Sequence, residues 1–374
     1  MIRVKCLWPL VVVLLVSAPL HLIAQNKVVK AVRVGYLPAT HDALLFIALE
    51  DKLFPPGIEV QPRKALNSGE ILQQLTAGDV DVGIPGIAAP ANYISTGSTL
   101  LIVGGAATRS AALVVRRDLA KEFPNGTGGN LTKEQIDKIF EMLKGRRVGT
   151  LQQSTGDSIF KAAVANRGLA KQIVIERKTS PSEILTGLQG GVLDAGVLWS
   201  PHMTRAEELG MPIVLWMYQL MPTHDHVCCR LVCLRAFAQQ NEVAIDDFLA
   251  GILKAYKVYL EANHGHVSAA VGKYLSPALS DKDLELELYG DPKNHLNPRT
   301  SISPDIFEAG VNSYLDGMRD AGILTSEQTA LVRNSISKRY LASAYRIAFP
   351  RLSEREATEC ATLGYLHCAV QGAH

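Results

Sequence analysis

The chain carries almost no excess charge. Its 38 Lys and Arg face 36 Asp and Glu, a formal net charge of +2. So even a balance supplies no field to draw in nucleic acid or an anionic membrane, and any charge selectivity has to be local. Past the first residues no apolar run is both free of charge and as long as the roughly 20 residues that span a bilayer. Neither a Walker-type phosphate loop nor a GxSxG nucleophile elbow is present, which removes sequence support for a nucleotide hydrolase or an α/β-hydrolase. No period of roughly 20 to 50 residues recurs, which argues against a solenoid.

What is present begins at the amino terminus. Met1 to about Gln25 places Arg3 and Lys5 ahead of an apolar run from Leu7 to Leu20, broken mainly by Pro9, Ser17 and Pro19, with small Ala24 at the exit. That order is the n-region, h-region and cleavage site of a secretory signal, and it predicts export to a periplasmic or other extracytoplasmic space. The roughly 350 residues that remain are enough for two domains with a large core. Cys6 lies inside the signal, too early for a lipid-modified cysteine. The remaining cysteines, 228, 229, 233, 360 and 368, are odd in number, so at least one thiol is left unpaired or bound to something.

Strands and helices alternate along the mature chain. Val32–Gly35 reads as a strand, Asp42–Leu53 as a helix, Gly57–Pro62 as a strand, and the stretch from Ser68 to Gly78 as a helix with Ile71, Leu72 and Leu75 on one face. Val80–Ile84, Leu100–Gly104 and Ala111–Val115 read as further strands, with a helix over Ala88–Tyr93. The alternation restarts at Arg147–Thr150, with strands at Val174–Arg177 and Ala195–Trp199 and helices at Ser158–Arg167, Pro181–Gln189 and Pro201–Leu209. From about Ile245 the pattern is mainly helical, and Tyr345 to His374 reads as a tail or an added cap. Repeated βα units build mostly parallel sheets with helices on both faces, so two similar α/β lobes are expected.

The ordered segments GYLPATHDALLFIALEDKLF, GEILQQLTAGDVDVGIPGIAAP, LKGRRVGTLQQSTGDSIF and DAGVLWSPH resemble periplasmic substrate-binding proteins of ABC importers. The group they resemble takes nitrate, taurine and aliphatic sulfonates and includes the thiamine-pyrimidine synthase-like proteins. The resemblance covers about Val32 to Ala342. It implies an α/β fold of the two-lobed, type II periplasmic-binding-protein kind, with two hinge strands and a ligand cleft between the lobes. By this reading residues 28–115 and 235–343 form the first lobe and 116–234 the second, with crossings at Ala111–Val115 and Arg230–Leu234, and 344–374 is a carboxy-terminal tail. It also implies permease and ATPase subunits at the inner membrane as partners, a monomeric receptor rather than an enzyme, and no cofactor.

Ligands of such sheets sit beyond the carboxyl ends of the strands. That position selects Tyr36, Thr40 and His41 after the first strand, with capping or surface placement as the plain reading of His41. It also selects Gly86, where a missing side chain lets backbone N–H groups approach a ligand or simply permits a tight turn. Ser154, Thr155 and Gly156 combine hydroxyls with free amides at a helix start, which suits a carboxylate, sulfonate or phosphate unless they merely cap the helix. Asp157 beside them repels an anion if it points inward. Trp199 either stacks on a planar solute or packs between lobes. Ser200 stands where the family resemblance implies glutamate.

The segment His224-Asp225-His226-Val227-Cys228-Cys229-Arg230-Leu231-Val232-Cys233 has donors for a soft metal, with His224, His226, Cys228 and Cys229 as candidates. On a regular strand Cys228 and Cys229 face opposite ways, so the thiols converge only at a bulge or turn, and apolar packing is the competing reading. The resemblance to the iron-binding cysteine stretch of thiamine-pyrimidine synthases is loose. Cys360 and Cys368 are candidates for a disulfide. The sequence thus predicts a non-enzymatic solute receptor that contacts ligand through the residues named above, His226 and Cys228 included. The alternative is a metal-binding, redox or synthase-like protein built on the His224–Cys233 cluster.

Overall fold

The computed structural model describes residues 30–127, 129–221, 227–291, 293 and 296–370. The expected export signal, His224 and His226 lie outside the described residues. The strands are β1 (Lys30–Tyr36), β2 (Ile58–Lys64), β3 (Val82–Gly83), β4 (Leu100–Arg109), β5 (Ala111–Val115), β6 (Arg147–Leu151), β7 (Val174–Lys178), β8 (Ala195–Trp199), β9 (Ile213–Trp216), β10 (Val227–Leu234) and β11 (Thr300–Ile302). They form two sheets, ordered β11-β4-β10-β3-β1-β2 and β7-β6-β8-β5-β9.

In the first sheet β1 runs parallel to β2 and β3, while β10 is antiparallel to β3 and β4. In the second, β6 is parallel to β7 and β8, and β5 is antiparallel to β8 and β9. The βα connections carry their own start and stop signals. Asn67 accepts the Glu70 amide at 2.9 Å to open the helix Ser68–Ala77, and Gly78 ends it in the left-handed conformation, φ 77°. Ile71, Leu72 and Leu75 of that helix are buried against the sheet, each stabilising the fold by about 1.5–3 kcal/mol. Ser180 accepts the Glu183 amide ahead of Pro181, the first residue of the helix Pro181–Gln189.

The expected crossings move. Ala111–Val115 pairs wholly within the second sheet, because the expected strand from Leu100 continues to Arg109 and the chain turns at Arg109 and Ser110, φ 67° and 45°. On the return, Val227, Cys228 and Cys229 belong to β10 in the first sheet, so that crossing lies ahead of Val227 rather than within Arg230–Leu234. An apolar run broken only by Arg-Ser hides the first of these turns.

The carboxy-terminal stretch packs as a cap on the first lobe. The helix Arg339–Ala348 runs across the expected boundary at 343 and buries Tyr340, Leu341, Ala344 and Tyr345. Farther on, the Tyr365 amide donates to Asp305 Oδ1 at 3.1 Å, and Cys360 and Cys368 are joined as a disulfide. Closing so short a loop removes chain entropy from the unfolded state. The double substitution Cys360→Ser and Cys368→Ser is expected to lower unfolding free energy by about 2 kcal/mol, read as a drop in Tm by calorimetry. An unchanged Tm means the cap is held by packing alone.

Candidate functional site

The loops that follow β1, β3, β6 and β8 converge with the start of β10 between the two sheets. Their side chains enclose a small cavity, walled from the first lobe by Leu37, His41, Ser68, Gly86, Cys228 and Cys229, and from the second by Ser110, Ala111, Ser154, Thr155, Gly156 and Trp199. Only about 20 Å³ inside is open to the centre of a water molecule, room for about one water. The two lobes approach each other closely around it.

Gly86 sets how closely they meet. A Cβ there would sit 2.7 Å from Thr155 Oγ1 and 3.6 Å from Ser68 Oγ, so any side chain would press on the Thr155 hydroxyl from across the cleft. The Gly86 amide donates to Ser68 Oγ at 3.0 Å. Across from it the helix Thr155–Asn166 begins, and the sequence alternatives there separate residue by residue. Ser154 is the cap, accepting the Asp157 amide at 3.0 Å. Gly156 lies against β8, where a Cβ would meet Val197 Cγ1 at 2.7 Å. Asp157 turns away from the cleft, accepting from Thr150 Oγ1 at 2.7 Å and from Lys161 Nζ at 2.5 Å. Thr155 Oγ1 is left buried without a hydrogen-bond partner among the described residues, as is Ser110 Oγ. Unpaired buried hydroxyls are costly, and here they flank one cavity at a helix start.

Cys228 and Cys229 reach the same cavity because β10 is bulged. Its register against β4 slips on both sides of Cys229, while Gly86 bridges to Cys229, the Ile87 amide donates to the Cys228 carbonyl and the Arg230 amide to the Pro85 carbonyl. The bulge puts two consecutive side chains on one side, with their sulfurs 3.3 Å apart. One ring nitrogen of His41 and both sulfurs lie within 4.8 Å of one another. Cys233 falls farther along β10 in the core, where burial pushes its thiol up to about 12. Burial, followed by Cys228 alongside, holds the Cys229 thiol well above the ordinary range.

Trp199 lines the cleft beside His41, its ring 6.3 Å from the imidazole and tilted by 45°. Three other expected site residues do not reach it. Tyr36 packs edge-on to Phe46 and Tyr274, at 5.4 and 6.4 Å. Thr40 shares a 2.9 Å hydrogen bond with Thr300 Oγ1, tying its turn to β11. Ser200 is fully buried behind the wall. Leu37, Ser68, Ser110 and Ala111 were missed; a serine at the Arg-Ser break between apolar strands was the available signal for Ser110.

Next to His41, Asp42 is buried, with Oδ2 accepting the Leu37 amide at 2.7 Å and Oδ1 unpaired. Burial lifts its carboxyl to about 7. Elsewhere a partly buried ionic clamp joins the lobes. Arg299 of the first lobe lies 2.5 Å from Glu207 of the second and 3.5 Å from Glu287, and Thr204 of the second lobe donates to Glu287. Burial raises both carboxyls, and Arg299 opposes the rise.

The sequence model of the NMT1-like family matches residues 25–272. A protein of Brucella abortus (strain 2308), named only as a binding protein, is 26% identical over 296 residues, which is 77% of this chain and 84% of that one. Among solved structures, the alkanesulfonate-binding protein of Xanthomonas axonopodis pv. citri, bound to MOPS, superposes with a TM-score of 0.63 at 17% identity, over 82% of this chain and 98% of that one. The periplasmic nitrate-binding protein of Synechocystis PCC 6803 gives 0.66 at 14% identity, over 87% and 89%. Likeness at these identities speaks to the fold, and the two-lobed periplasmic-binding-protein arrangement expected from the sequence is the fold of this chain. No helix among the described residues is long and apolar enough to cross a membrane.

Two outcomes are expected from the buried charges. The Asp42 carboxyl is raised above its unfolded value, so the folded state holds the extra proton and stability falls as pH rises from about 4 to about 7. Asp42→Asn should flatten that slope in urea unfolding, and an unaltered slope assigns it to other groups. Arg299→Met leaves Glu207 and Glu287 without their counter-charge, at a cost of up to about 3–5 kcal/mol. Small-angle scattering at pH 8 should show a larger radius of gyration than the parent, with partial recovery at pH 5 as the carboxylates protonate. Equal radii at pH 8 would show that the clamp does not hold the lobes.

Proposed function

The chain belongs to the NMT1-like family, and we propose that it is an extracytoplasmic solute-binding protein that delivers a small organic solute to the permease and ATPase of an ABC importer. The observation that carries this reading is the pair of unpartnered buried hydroxyls, Ser110 and Thr155, in a cleft whose walls come from both lobes. Parting of the lobes admits the solute. Closure then lets it contact both walls at once, and those contacts, absent in the open form, are what shift the population toward the closed form.

The chemistry of the walls favours a small anion or zwitterion of the sulfonate, taurine or nitrate kind. Amide donors and the positive end of the dipole at Thr155 suit a negative group, and Asp157, the one carboxylate at that turn, is held by Thr150 and Lys161 instead. Trp199 and Leu37 supply apolar surface for the rest of the molecule. Capture and release involve no bond made or broken, so no enzymatic step is part of the reading. The relatives' named solutes, alkanesulfonate and nitrate, support the class.

A second reading rests on a separate observation, the convergence of His41, Cys228 and Cys229. An imidazole and two thiols suit a soft cation such as Cu(I) or Zn(II), carried as cargo. Relative to the cluster expected from the sequence, His41 enters from the other end of the chain.

Native mass spectrometry with metal analysis, on protein purified from an exported preparation without refolding, separates the readings. A bound organic mass and no metal supports the solute receptor; a stoichiometric metal lost in Cys228→Ser supports the second. Once an anion is in hand, Thr155→Val and Ser110→Ala are each expected to weaken it by about 1–3 kcal/mol with little change in Tm. Ser154→Ala should instead cost about 1 kcal/mol of stability as a lost cap. Unchanged affinity in both hydroxyl variants would remove the anion site from this cleft.

A further inference from the structure

Three side chains of the central cleft have no part in holding an anion. Cys228 and Cys229 present their sulfurs 3.3 Å apart, and a ring nitrogen of His41 lies within 4.8 Å of both. All three line the cleft and are buried. Cys233, the other thiol among the described residues, sits in the core, and Cys360 and Cys368 are joined to each other.

The spacing of the sulfurs restricts the centre that they can share. Two sulfurs 3.3 Å apart, each about 2.3 Å from one atom, subtend about 92° there, whereas a tetrahedral zinc asks for about 109° and sulfurs about 3.8 Å apart. Trigonal or linear copper(I) needs them farther apart still. An angle close to a right angle belongs to a three-coordinate centre that keeps a lone pair, as trivalent arsenic does. Only three donors converge among the described residues, one fewer than a closed zinc site takes.

The rest of the cleft fits the same centre. Arsenic(III) in neutral water is the uncharged trihydroxide, which escapes the cost of burying an ion. The open space of about 20 Å³ holds about one water, the size of a single hydroxyl left on arsenic. The hydroxyls of Ser110 and Thr155, buried without hydrogen-bond partners among the described residues, line that space. Thr155 Oγ1 stands across from Gly86, which bridges to Cys229, so the hydroxyl and thiol walls adjoin.

Resting on the second reading of this cleft, as a carrier of a soft element, we propose that its cargo is arsenous acid, As(OH)3, held by Cys228 and Cys229 as a cyclic dithioarsenite with its remaining hydroxyl on Ser110 and Thr155. Each sulfur forms a bond to arsenic as one As–O bond breaks. The thiol proton passes to His41 and on to the departing hydroxide, which leaves as water. Two thiols and one As(OH)3 thus give one (RS)2AsOH and two waters, with arsenic trivalent throughout and neither oxidant nor reductant consumed. The ligand enters and leaves as the lobes part.

The test is equilibrium dialysis of the full chain against sodium arsenite, its thiols kept reduced by a phosphine, with arsenic counted by elemental mass spectrometry and zinc and copper(I) dialysed in parallel. One arsenic per protein is expected, and X-ray absorption at arsenic should show two sulfurs and one oxygen. Cys228→Ser and Cys229→Ser should each weaken binding about a hundredfold or more, because the second As–S bond gains from being intramolecular. Thr155→Val should weaken it about threefold to tenfold, and His41→Gln should slow uptake while leaving the stoichiometry. Cys233→Ser places the same substitution farther along β10 and should bind as the parent does. No arsenic on the parent, any count other than two sulfurs, or undiminished binding in both cleft cysteine variants would overturn the proposal. Zinc or copper(I) held by a protein that refuses arsenite would overturn it and leave the soft-cation reading standing, whereas a protein that holds none of the three elements would remove both.

Discussion

The separation of the lobes is set where Gly86 meets Thr155. A methyl group on Gly86 would lie 2.7 Å from the threonine hydroxyl, well inside contact distance, so the missing side chain is what lets the walls of the cleft come this close without displacing Thr155. It places the first-lobe backbone against a second-lobe helix start, and it traps Ser110 and Thr155 hydroxyls in a space too small to hydrate them fully. Electrostatics then acts at short range in a poorly polarisable setting.

Closure is also held electrostatically some way from the cleft. Two carboxylates, the buried Glu287 and the half-buried Glu207, share one guanidinium, Arg299, with Thr204 completing the set. Such a group is poor material for static stability, since the desolvation of each charge offsets much of the attraction. It is well suited to an equilibrium between two states, because water can re-enter when the lobes part and the cost of separation is thereby reduced. The cleft and the clamp act on the same coordinate from different places.

Much of the fold was legible in the sequence because it rests on local rules. Alternating apolar strands and Gly78 as a helix stop act over a few residues and appear where expected, and Asn67 and Ser180 cap the helices that begin beside them. What escaped depends on distant partners. Nothing near Arg109 announces that β4 continues to it and that Ala111 begins a strand of the other sheet. Tyr36 looked like a cleft aromatic, but Phe46 and Tyr274 offer its ring a better-packed surface. At the helix start, the sequence left capping and ligand contact open for Ser154 and Thr155 alike; Ser154 is the cap, and the Thr155 hydroxyl is left without a partner at the cleft. The cysteines needed a bulge to converge, and the backbone of Pro85–Ile87, over a hundred residues away, supplies the pairing that holds it.

The strands on either side of the two passages between sheets are also neighbours. β4 leaves the first sheet beside the strand on which the chain returns, with Thr108 paired to Val227, and in the second sheet β5 and β9 are likewise neighbours. A pair of adjoining strands at the spine resists sliding and twisting, which would shear their ladders, and yields most readily to rotation about a line across them. In the proposed receptor the lobes would therefore part as a book opens, a motion that reduces to a single angle and is described by one distance across the fore-edge.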